Sequence, residues 1–281
     1  MQLKQARAIG WIGLGRIGKP MVETLIADGH RLKVFDIDPG ARNRLSGVAQ
    51  EIGLSASDVA RDAATVIFCV SDAKAVEDVA FGPQGIAKSA HMGTVLIDHS
   101  STHPAVTREF ARKASELGLH WVDAPISGGP PGAEARRLAA WLGGDENVCQ
   151  KAAGIIKAYC SNISYMGPSG SGQAAKSCNQ AIVANTIAIW SEMLAFAQAS
   201  GLELHKLIGT LAGSSADSAI RKTFAHGLAD GEFPELSTRN MIKDLEILVD
   251  LAGSANIELP HSALSLDAFR AGIDAFSAKG P

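Results

Sequence analysis

Three glycines at the spacing Gly13-x-Gly15-x-x-Gly18 constrain the fold of this chain more than any other feature. The apolar run from Ala8 to Ile12 precedes them and suits a buried parallel strand, and a helical pattern from about Arg16 to Ala27 follows. Here Gly13 permits the tight turn, Gly15 lets the backbone approach a pyrophosphate, and Gly18 allows close packing of helix on sheet. The alternative is a plain glycine turn. The pattern favours a dinucleotide-binding loop with these cofactor-binding candidates: Gly13, Leu14, Gly15, Arg16, Ile17 and Gly18.

The next strand, from Arg31 to Asp36, ends in an acid. Asp36 is placed to accept hydrogen bonds from an adenosine ribose and to repel a 2′-phosphate, so it favours NAD over NADP. Arg42 and Arg44 follow closely and could soften that preference. The alternative is an aspartate that only begins the turn with Asp38. We therefore expect NAD as the preferred cofactor, with NADP as the alternative.

Strands and helices alternate up to residue 166. Further strands are predicted at Thr65–Val70, Thr94–Ile97 and His120–Asp123, with Leu138–Leu142 and Ile163–Met166 as two edge strands of the same sheet. Such alternation implies right-handed crossovers and a parallel sheet covered on both faces. Beyond residue 166 no convincing strand appears, and one long helix runs from about Gln173 to Ser200, stopped by Gly201. We predict an α/β chain: an N-terminal Rossmann-type doubly wound parallel sheet (1–166), then an all-helical domain (167–281) entered through a long interdomain helix.

Composition narrows the class of protein. The 281 residues are 46% apolar and 20% charged, with a net charge of -3, which is ordinary for a soluble globular enzyme. We expect no nucleic-acid partner on charge grounds. We expect no membrane partner, since no apolar run approaches the roughly 20 residues of a membrane helix. The N-terminus leads directly into a predicted strand, which leaves no room for a signal peptide.

The spacing of the cysteines and histidines gives no indication of a metal site or a disulfide framework. The four cysteines lack C-x-x-C spacing and suggest reduced thiols in a cytoplasmic protein. His99 and His103 have helical spacing, but Pro104 follows at once and argues for a loop. We expect no metal site.

Two further segments suggest chemistry. Lys176 lies one or two turns into the long helix, where the positive end of the helix dipole lowers an amine's pKa and suits a proton donor near neutral pH. Asn179 follows three residues later, on the same face. The alternative is a solvated surface lysine. Ser127-Gly128-Gly129 follows a strand at the carboxyl end of the sheet, where small residues and N–H groups could hold a carboxylate, although a plain loop explains it too.

Together these residues resemble the β-hydroxyacid dehydrogenase family, whose members include 3-hydroxyisobutyrate dehydrogenase and tartronate semialdehyde reductase. The likeness runs from about Ala8 to Leu259. Four segments match family motifs, in order the cofactor, substrate, catalytic and late cofactor-contacting motifs: Ile12 to Met21, Asp123 to Gly129 with Gly132-Ala133, Gly172 to Asn179, and Lys243-Asp244-Leu245.

The resemblance implies hydride transfer between NAD(P) and a small 3-hydroxy acid or its semialdehyde. It implies that Lys176 is the general acid/base and that Asn179 positions the substrate. It also implies that Ser127, Gly128 and Gly129 bind the substrate carboxylate. The remaining implied contacts are with the cofactor, or for the last residue with cofactor or substrate: Val70, Ser71, Ser101 and Lys243.

Three alternatives remain open: a decarboxylating sugar-acid dehydrogenase, an imine reductase, or a non-catalytic nucleotide-binding module. The intact Lys176 and Asn179 argue against the last. The apolar long helix, with Trp190 and Phe196, suggests a homodimer or homotetramer, although packing within the chain explains it too.

The chain departs from the family pattern at two places beside the motifs. Gln180 stands where a second asparagine is common, and Arg136-Arg137 replaces a common Gly-Thr. The arginines suggest a more anionic substrate or a different pocket wall, with solvated surface arginines as the alternative. Pocket shape is expected to depend on the helical half, including Phe233 and Arg239.

Overall fold

The computed structural model describes residues 8–272 except 46, 48, 50, 233 and 234. The chain divides into two compact units, Met1–Lys176 and Ser177–Pro281. The first unit is built on a sheet and the second on helices.

The sheet of the first unit has nine strands in the part of the chain described. Their order is β3-β2-β1-β4-β5-β6-β8-β7, and β9 pairs with β8. All neighbours from β3 to β6 are parallel, β8 runs antiparallel to β6 and β7, and β9 is parallel to β8. The strands are β1 Ile9–Ile12, β2 Leu32–Phe35, β3 Glu51–Ile52, β4 Thr65–Phe68, β5 Val95–Asp98, β6 His120–Asp123, β7 Ile126–Ser127, β8 Leu138–Gly143 and β9 Cys160–Gly167.

The predicted parallel sheet is confirmed for β1 to β6, and one prediction about its rim is wrong. The sequence predicts Leu138–Leu142 as an edge strand, yet β8 pairs with three other strands. The direction of a strand is set by its connections rather than by its own apolar pattern. Two strands of two residues, β3 and β7, were not predicted because they are too short to show a period.

Helices cover both faces of the sheet. Along β1, Trp11 packs into one apolar cluster and Ile12 into the cluster on the opposite face, as alternating side chains require. Polar side chains fix where several helices begin: Asp38, Asp72 and Asp145 each accept backbone N–H bonds at an N-terminus. The helices of this unit are α1 Gly18–Ala27, α2 Pro39–Asn43, α3 Ala56–Ala60, α4 Ala73–Phe81, α5 Pro104–Glu116, α6 Gly129–Glu134 and α7 Glu146–Ile156, with a short 3₁₀ helix at Ile86–Lys88.

The long helix α8, Ser171–Ala199, begins in the first unit and continues through the second, and Gly201 at φ +73° follows its end. No strand occurs in the described residues of the second unit. Its core includes Ile187, Leu194 and Phe269, all buried. The further helices are α9 Leu204–Thr210, α10 His226–Ala229, α11 Glu235–Ser254 and α12 Pro260–Ala271, with a π-helical turn at Arg221–Ala225 leading into α10.

By length and composition alone α8 could cross a membrane. That is weak evidence, because core helices of soluble proteins meet the same criterion. Within the second unit α8 carries polar side chains bonded to other helices, including Gln180 to Asp244 and Asn185 to Ser262. Such pairs are typical of a helix packed within a protein.

Candidate active site

The loop between β1 and α1 depends on two glycines for its own packing. Gly13 has φ +95°, and a Cβ there would lie 2.2 Å from the Cys69 carbonyl oxygen. A Cβ on Gly18 would lie 2.1 Å from the Gly13 carbonyl oxygen. That same carbonyl accepts a hydrogen bond of 2.8 Å from the indole N–H of Trp11, which holds the loop against β1. Both glycines are therefore required by the protein itself.

Gly15 has a different role, because a Cβ there would meet no protein atom within 4 Å. The space beside it opens into a groove of about 350 Å³, whose charged lining residues are Arg16, Lys19, Glu23, Arg44 and Glu134. At the start of α1 no side chain caps the helix, and no acid lies in its first turn. An uncapped helix N-terminus beside an open glycine is the arrangement that favours an anion, because its N–H groups and the positive end of the helix dipole are left available.

Asp36 adjoins this loop, as the sequence predicts. Its Oδ2 accepts the Leu14 N–H at 2.6 Å, and its Oδ1 accepts the Asp38 N–H at 2.8 Å. Arg42 donates to the Asp36 carbonyl oxygen at 2.6 Å and lies 5.5 Å from the centre of the Phe35 ring. The guanidinium of Arg42 is thus engaged with the backbone and a ring rather than aimed away from the strand.

The loops after β4 and β5 are joined to each other and to α8. The N–H of Val70 donates to the Ser100 hydroxyl at 3.1 Å. Gln173 bridges two residues on either side of Ser101: its Nε2 donates to the Ser100 carbonyl at 2.8 Å, and its Oε1 accepts the Thr102 N–H at 3.1 Å. Ser101 is consequently held in a fixed loop at the carboxyl ends of the strands. Ser71 lies next to Val70 and donates to Asp72 at 2.7 Å.

A buried carboxylate anchors the beginning of α8. Asp123, at the end of β6, accepts N–H bonds from Gly170 at 2.8 Å and Gln173 at 3.2 Å. Burial raises the pKa of the Asp123 carboxyl, and the backbone hydrogen bonds oppose that shift. A Cβ on Gly172 would lie 2.4 Å from the Trp141 carbonyl oxygen, so only glycine permits this close approach.

Lys176 follows one turn later and reaches the predicted substrate loop. Its half-buried ammonium donates to the carbonyl oxygen of Ile126 at 2.9 Å, immediately before Ser127. Ser127 ends β7, and the chain then turns at Gly128 with φ +126° and Gly129 with φ +59°. The structure thus brings the predicted lysine and the predicted carboxylate loop together.

In the second unit a chain of contacts joins the end of the catalytic motif, at Asn179, to the late cofactor-contacting motif at Lys243 and Asp244. Asn179 donates from Nδ2 to Oε1 of Gln180 at 2.9 Å, and Gln180 donates from Nε2 to Oδ2 of Asp244 at 2.7 Å. The ammonium of Lys243 lies 3.7 Å from Oδ1 of Asp244. Sequence reasoning did not predict this chain of contacts, because its key bond joins residues 64 positions apart.

The two arginines beside the substrate motif receive a structural explanation. Arg136 has φ +55° and donates to Asp28 at the end of α1 at 2.8 Å, an ion pair that suits the alternative of a surface arginine. Arg137 is exposed, as is Arg239 on α11. Phe233 lies outside the described residues.

A buried polar cluster lies beneath the loops. The Nδ1 of His99 lies 2.6 Å from the Ala124 carbonyl oxygen, and its Nε2 lies 2.8 Å from the Tyr159 hydroxyl. Because a carbonyl only accepts, Nδ1 carries the proton and Nε2 accepts from Tyr159. Burial lowers the pKa of His99 to about 4 and raises that of Tyr159. His99 is thus a neutral structural residue.

The fold and its glycine loop are those of a dinucleotide-binding protein, and comparison with known proteins identifies its family. Residues 8–167 match the NAD-binding domain of 6-phosphogluconate dehydrogenase, and residues 170–279 match the NAD-binding domain of NADP-dependent 3-hydroxyisobutyrate dehydrogenase.

Individual relatives support the same family. The chain is 35% identical over 266 residues to 2-hydroxy-3-oxopropionate reductase of Escherichia coli (strain K12), covering 93% of this chain and 89% of the relative. It is 30% identical to mitochondrial 3-hydroxyisobutyrate dehydrogenase of Rattus norvegicus, covering 93% and 81%. The solved 3-hydroxyisobutyrate dehydrogenase of Mycobacterium tuberculosis with L-serine superposes with a TM-score of 0.84 at 25% identity, covering 98% and 96%. The chain belongs to the β-hydroxyacid dehydrogenase family and is an NAD(P)-dependent oxidoreductase of the hydroxy-acid class.

Proposed function

We propose that this enzyme oxidises a small 3-hydroxy acid, or reduces the matching semialdehyde, with Lys176 as general acid and base. The observation that carries the proposal is the 2.9 Å bond from the Lys176 ammonium to the Ile126 carbonyl, next to Ser127. That bond holds a proton-carrying amine at the edge of a loop suited to a carboxylate. The names of two relatives describe a 3-oxo acid and a 3-hydroxy acid, which are the class of substrate proposed here.

Each of these residues has a defined task in the proposal. Ser127, Gly128 and Gly129 bind the substrate carboxylate. Lys176 takes the hydroxyl proton when the alcohol is oxidised and returns it when the carbonyl is reduced. Asn179 orients the reacting group, so that the substrate is held near its reactive geometry.

The cofactor is held by the loop at Gly13 to Gly18, and when bound it supplies the hydride acceptor or donor. Val70, Ser71, Ser101 and Lys243 contribute further contacts in this proposal. We propose a preference for NAD, because the Asp36 carboxylate would repel a 2′-phosphate and Arg42 is engaged by the Asp36 carbonyl and the Phe35 ring.

We also propose that the enzyme is a homodimer or homotetramer. Four large apolar residues on one stripe of α8 are substantially exposed within the second unit: Ile182, Ile189, Met193 and Phe196. Trp190, by contrast, is buried in the core of that unit, so the oligomer hypothesis rests on Phe196 and its neighbours. Sedimentation of the wild type against Phe196→Glu tests it: we expect dissociation, and a monomeric wild type would contradict it.

We propose a cytoplasmic location as well. All four cysteines are free thiols, which suits a reducing compartment.

A substrate panel tests the function. The purified chain is mixed with small 3-hydroxy acids and NAD or NADP, and with semialdehydes and the reduced cofactors, while absorbance of the reduced cofactor is followed. We expect turnover of at least one hydroxy acid, with higher kcat/KM for NAD. Release of carbon dioxide together with reduced cofactor would instead indicate a decarboxylating dehydrogenase. Reduction of cyclic imines without a carboxylate, with hydroxy acids inert, would indicate an imine reductase.

A further inference from the structure

Contacts join four residues in the order Asn179, Gln180, Asp244 and Lys243. The chemistry of these groups fixes which of them donates and which accepts each hydrogen bond. An ionised carboxylate only accepts hydrogen bonds, so Gln180 must turn its NH₂ group to Asp244, at the observed 2.7 Å. The carbonyl oxygen of Gln180 then faces Asn179, which must offer its own NH₂ group, at the observed 2.9 Å. The end of the Asn179 carboxamide turned away from Gln180 is therefore its oxygen.

We propose that Asp244 and Gln180 are positioning residues that orient Asn179 so that it presents its carbonyl oxygen to the catalytic face of α8. The proposal rests on the proposed function, in which that face carries Lys176. An ammonium is a donor only, so an acceptor is the end of the amide that suits a face carrying one. Gln180 and Asp244 are both buried, so water competes little for the bonds between them.

Because Lys243 lies beside Asp244, replacing one carboxylate oxygen of Asp244 by an amide nitrogen is enough to reverse the direction of these hydrogen bonds. The Lys243 ammonium lies near Oδ1 of Asp244, while Gln180 bonds Oδ2. In the variant Asp244→Asn, the ammonium favours the amide oxygen on its own side, which places the new NH₂ group against Gln180. Gln180 must then turn over to accept, and Asn179 must turn over in response. Every bond is still made, but Asn179 now presents N–H groups where it presented oxygen.

A second substitution restores the original direction. In Gln180→Glu combined with Asp244→Asn, the amide at 244 donates to the carboxylate at 180, and that carboxylate accepts from Asn179. The double variant keeps the charge within the pair and returns the Asn179 oxygen to the catalytic face. A purely structural pair predicts near-normal activity for D244N, because all its bonds survive. The positioning role predicts loss in D244N and recovery in the double variant.

The test compares kcat/KM for the hydroxy acid and the Kd for NADH in the wild type, D244N, the double variant and Asn185→Ala as a control. Asn185 is another amide of α8 and bonds Ser262. We expect D244N to lose about tenfold or more in kcat/KM, which corresponds to the free energy of one charge-assisted hydrogen bond. The double variant should recover most of that loss. The loss in D244N should persist when NAD is saturating, which excludes an effect through the cofactor contact of Lys243, and N185A should behave as the wild type. Near-normal D244N, or a double variant no better than D244N, would overturn the proposal.

A second measurement separates this proposal from the proposed function. Side-chain ¹⁵N–¹H signals of Asn179 and Gln180, assigned with Asn179→Asp and Gln180→Glu, should exchange slowly in the wild type and shift in D244N. Rapidly exchanging signals would overturn the chain of contacts whether or not the enzyme turns over. Slowly exchanging signals in a protein inert on the whole panel would contradict the function, and with it the catalytic purpose of the contacts, while confirming the bonds themselves.

Discussion

The buried His99 should make the stability of this protein fall as the pH drops from 7 to 5. Burial lowers its folded-state pKa from 6.5 to about 4. Below pH 6.5 the unfolded chain takes up a proton at this imidazole, while the folded chain does not until the pH approaches 4. The contribution to stability is therefore fully present above pH 6.5 and is lost as the pH falls from 6.5 toward 4.

The size of the effect follows from those two values. A difference of about 2.5 pH units, at about 1.4 kcal/mol per unit, corresponds to about 3 kcal/mol in total. About 2 kcal/mol of it falls between pH 7 and pH 5, where most carboxylates stay ionised.

The assay is urea unfolding at pH 7 and pH 5 for the wild type, His99→Gln and His91→Gln, a control at an exposed histidine. The quantity compared is each variant's change in the free energy of unfolding between the two pH values, so a constant destabilisation by H99Q cancels. We expect this change to be about 2 kcal/mol smaller in H99Q than in the wild type, with H91Q like the wild type. Equal pH dependence in all three would refute the assignment of His99 as a neutral, desolvated group.

Two further predictions concern cofactor binding. Gly15→Ala should keep wild-type stability, because its Cβ meets no protein atom, but should raise the NADH Kd about tenfold or more by blocking a pyrophosphate. Gly13→Ala should instead lower the free energy of unfolding in urea by about 1–2 kcal/mol or more, because Gly13 has a positive φ. Equal free energies of unfolding for the two variants would contradict a structural role for Gly13 and a cofactor-binding role for Gly15. Asp36→Ala should lower the ratio of kcat/KM for NAD over NADP about tenfold, and an unchanged ratio would show that Asp36 does not set it.

The sequence predicts most of the fold because buried parallel strands are short apolar runs that end at glycines or acids. Ile9–Ile12, followed by Gly13, and Val95–Asp98, which ends in an acid, are such runs, and the length of α8 follows from its pattern and from Gly201. The antiparallel direction of β8 was not predictable in this way. It depends on the chain after Gly129 folding back through α6, which the apolar pattern of Leu138–Gly143 does not encode.

For the candidate site, sequence reasoning predicts residues but not their partners. Lys176 and Ser127 were singled out by motif, yet nothing local indicates that the lysine bonds the carbonyl before Ser127. The same holds for Gln173, whose side chain joins two loops. Arg136 is a similar case: the sequence leaves a substrate contact and a surface position open, and its pairing with Asp28 becomes visible only in the structure.

In the proposed mechanism Lys176 moves the proton, and a variant that lacks only its amine shows whether it does. The measurement is kcat on the best hydroxy acid, with the NADH Kd, for Lys176→Met beside Lys151→Met, a matched change at an exposed lysine of α7. We expect K176M to lose about a hundredfold to ten-thousandfold in kcat with nearly normal NADH binding, and K151M to match the wild type. A K176M enzyme that turns over at near the wild-type rate would contradict the mechanism.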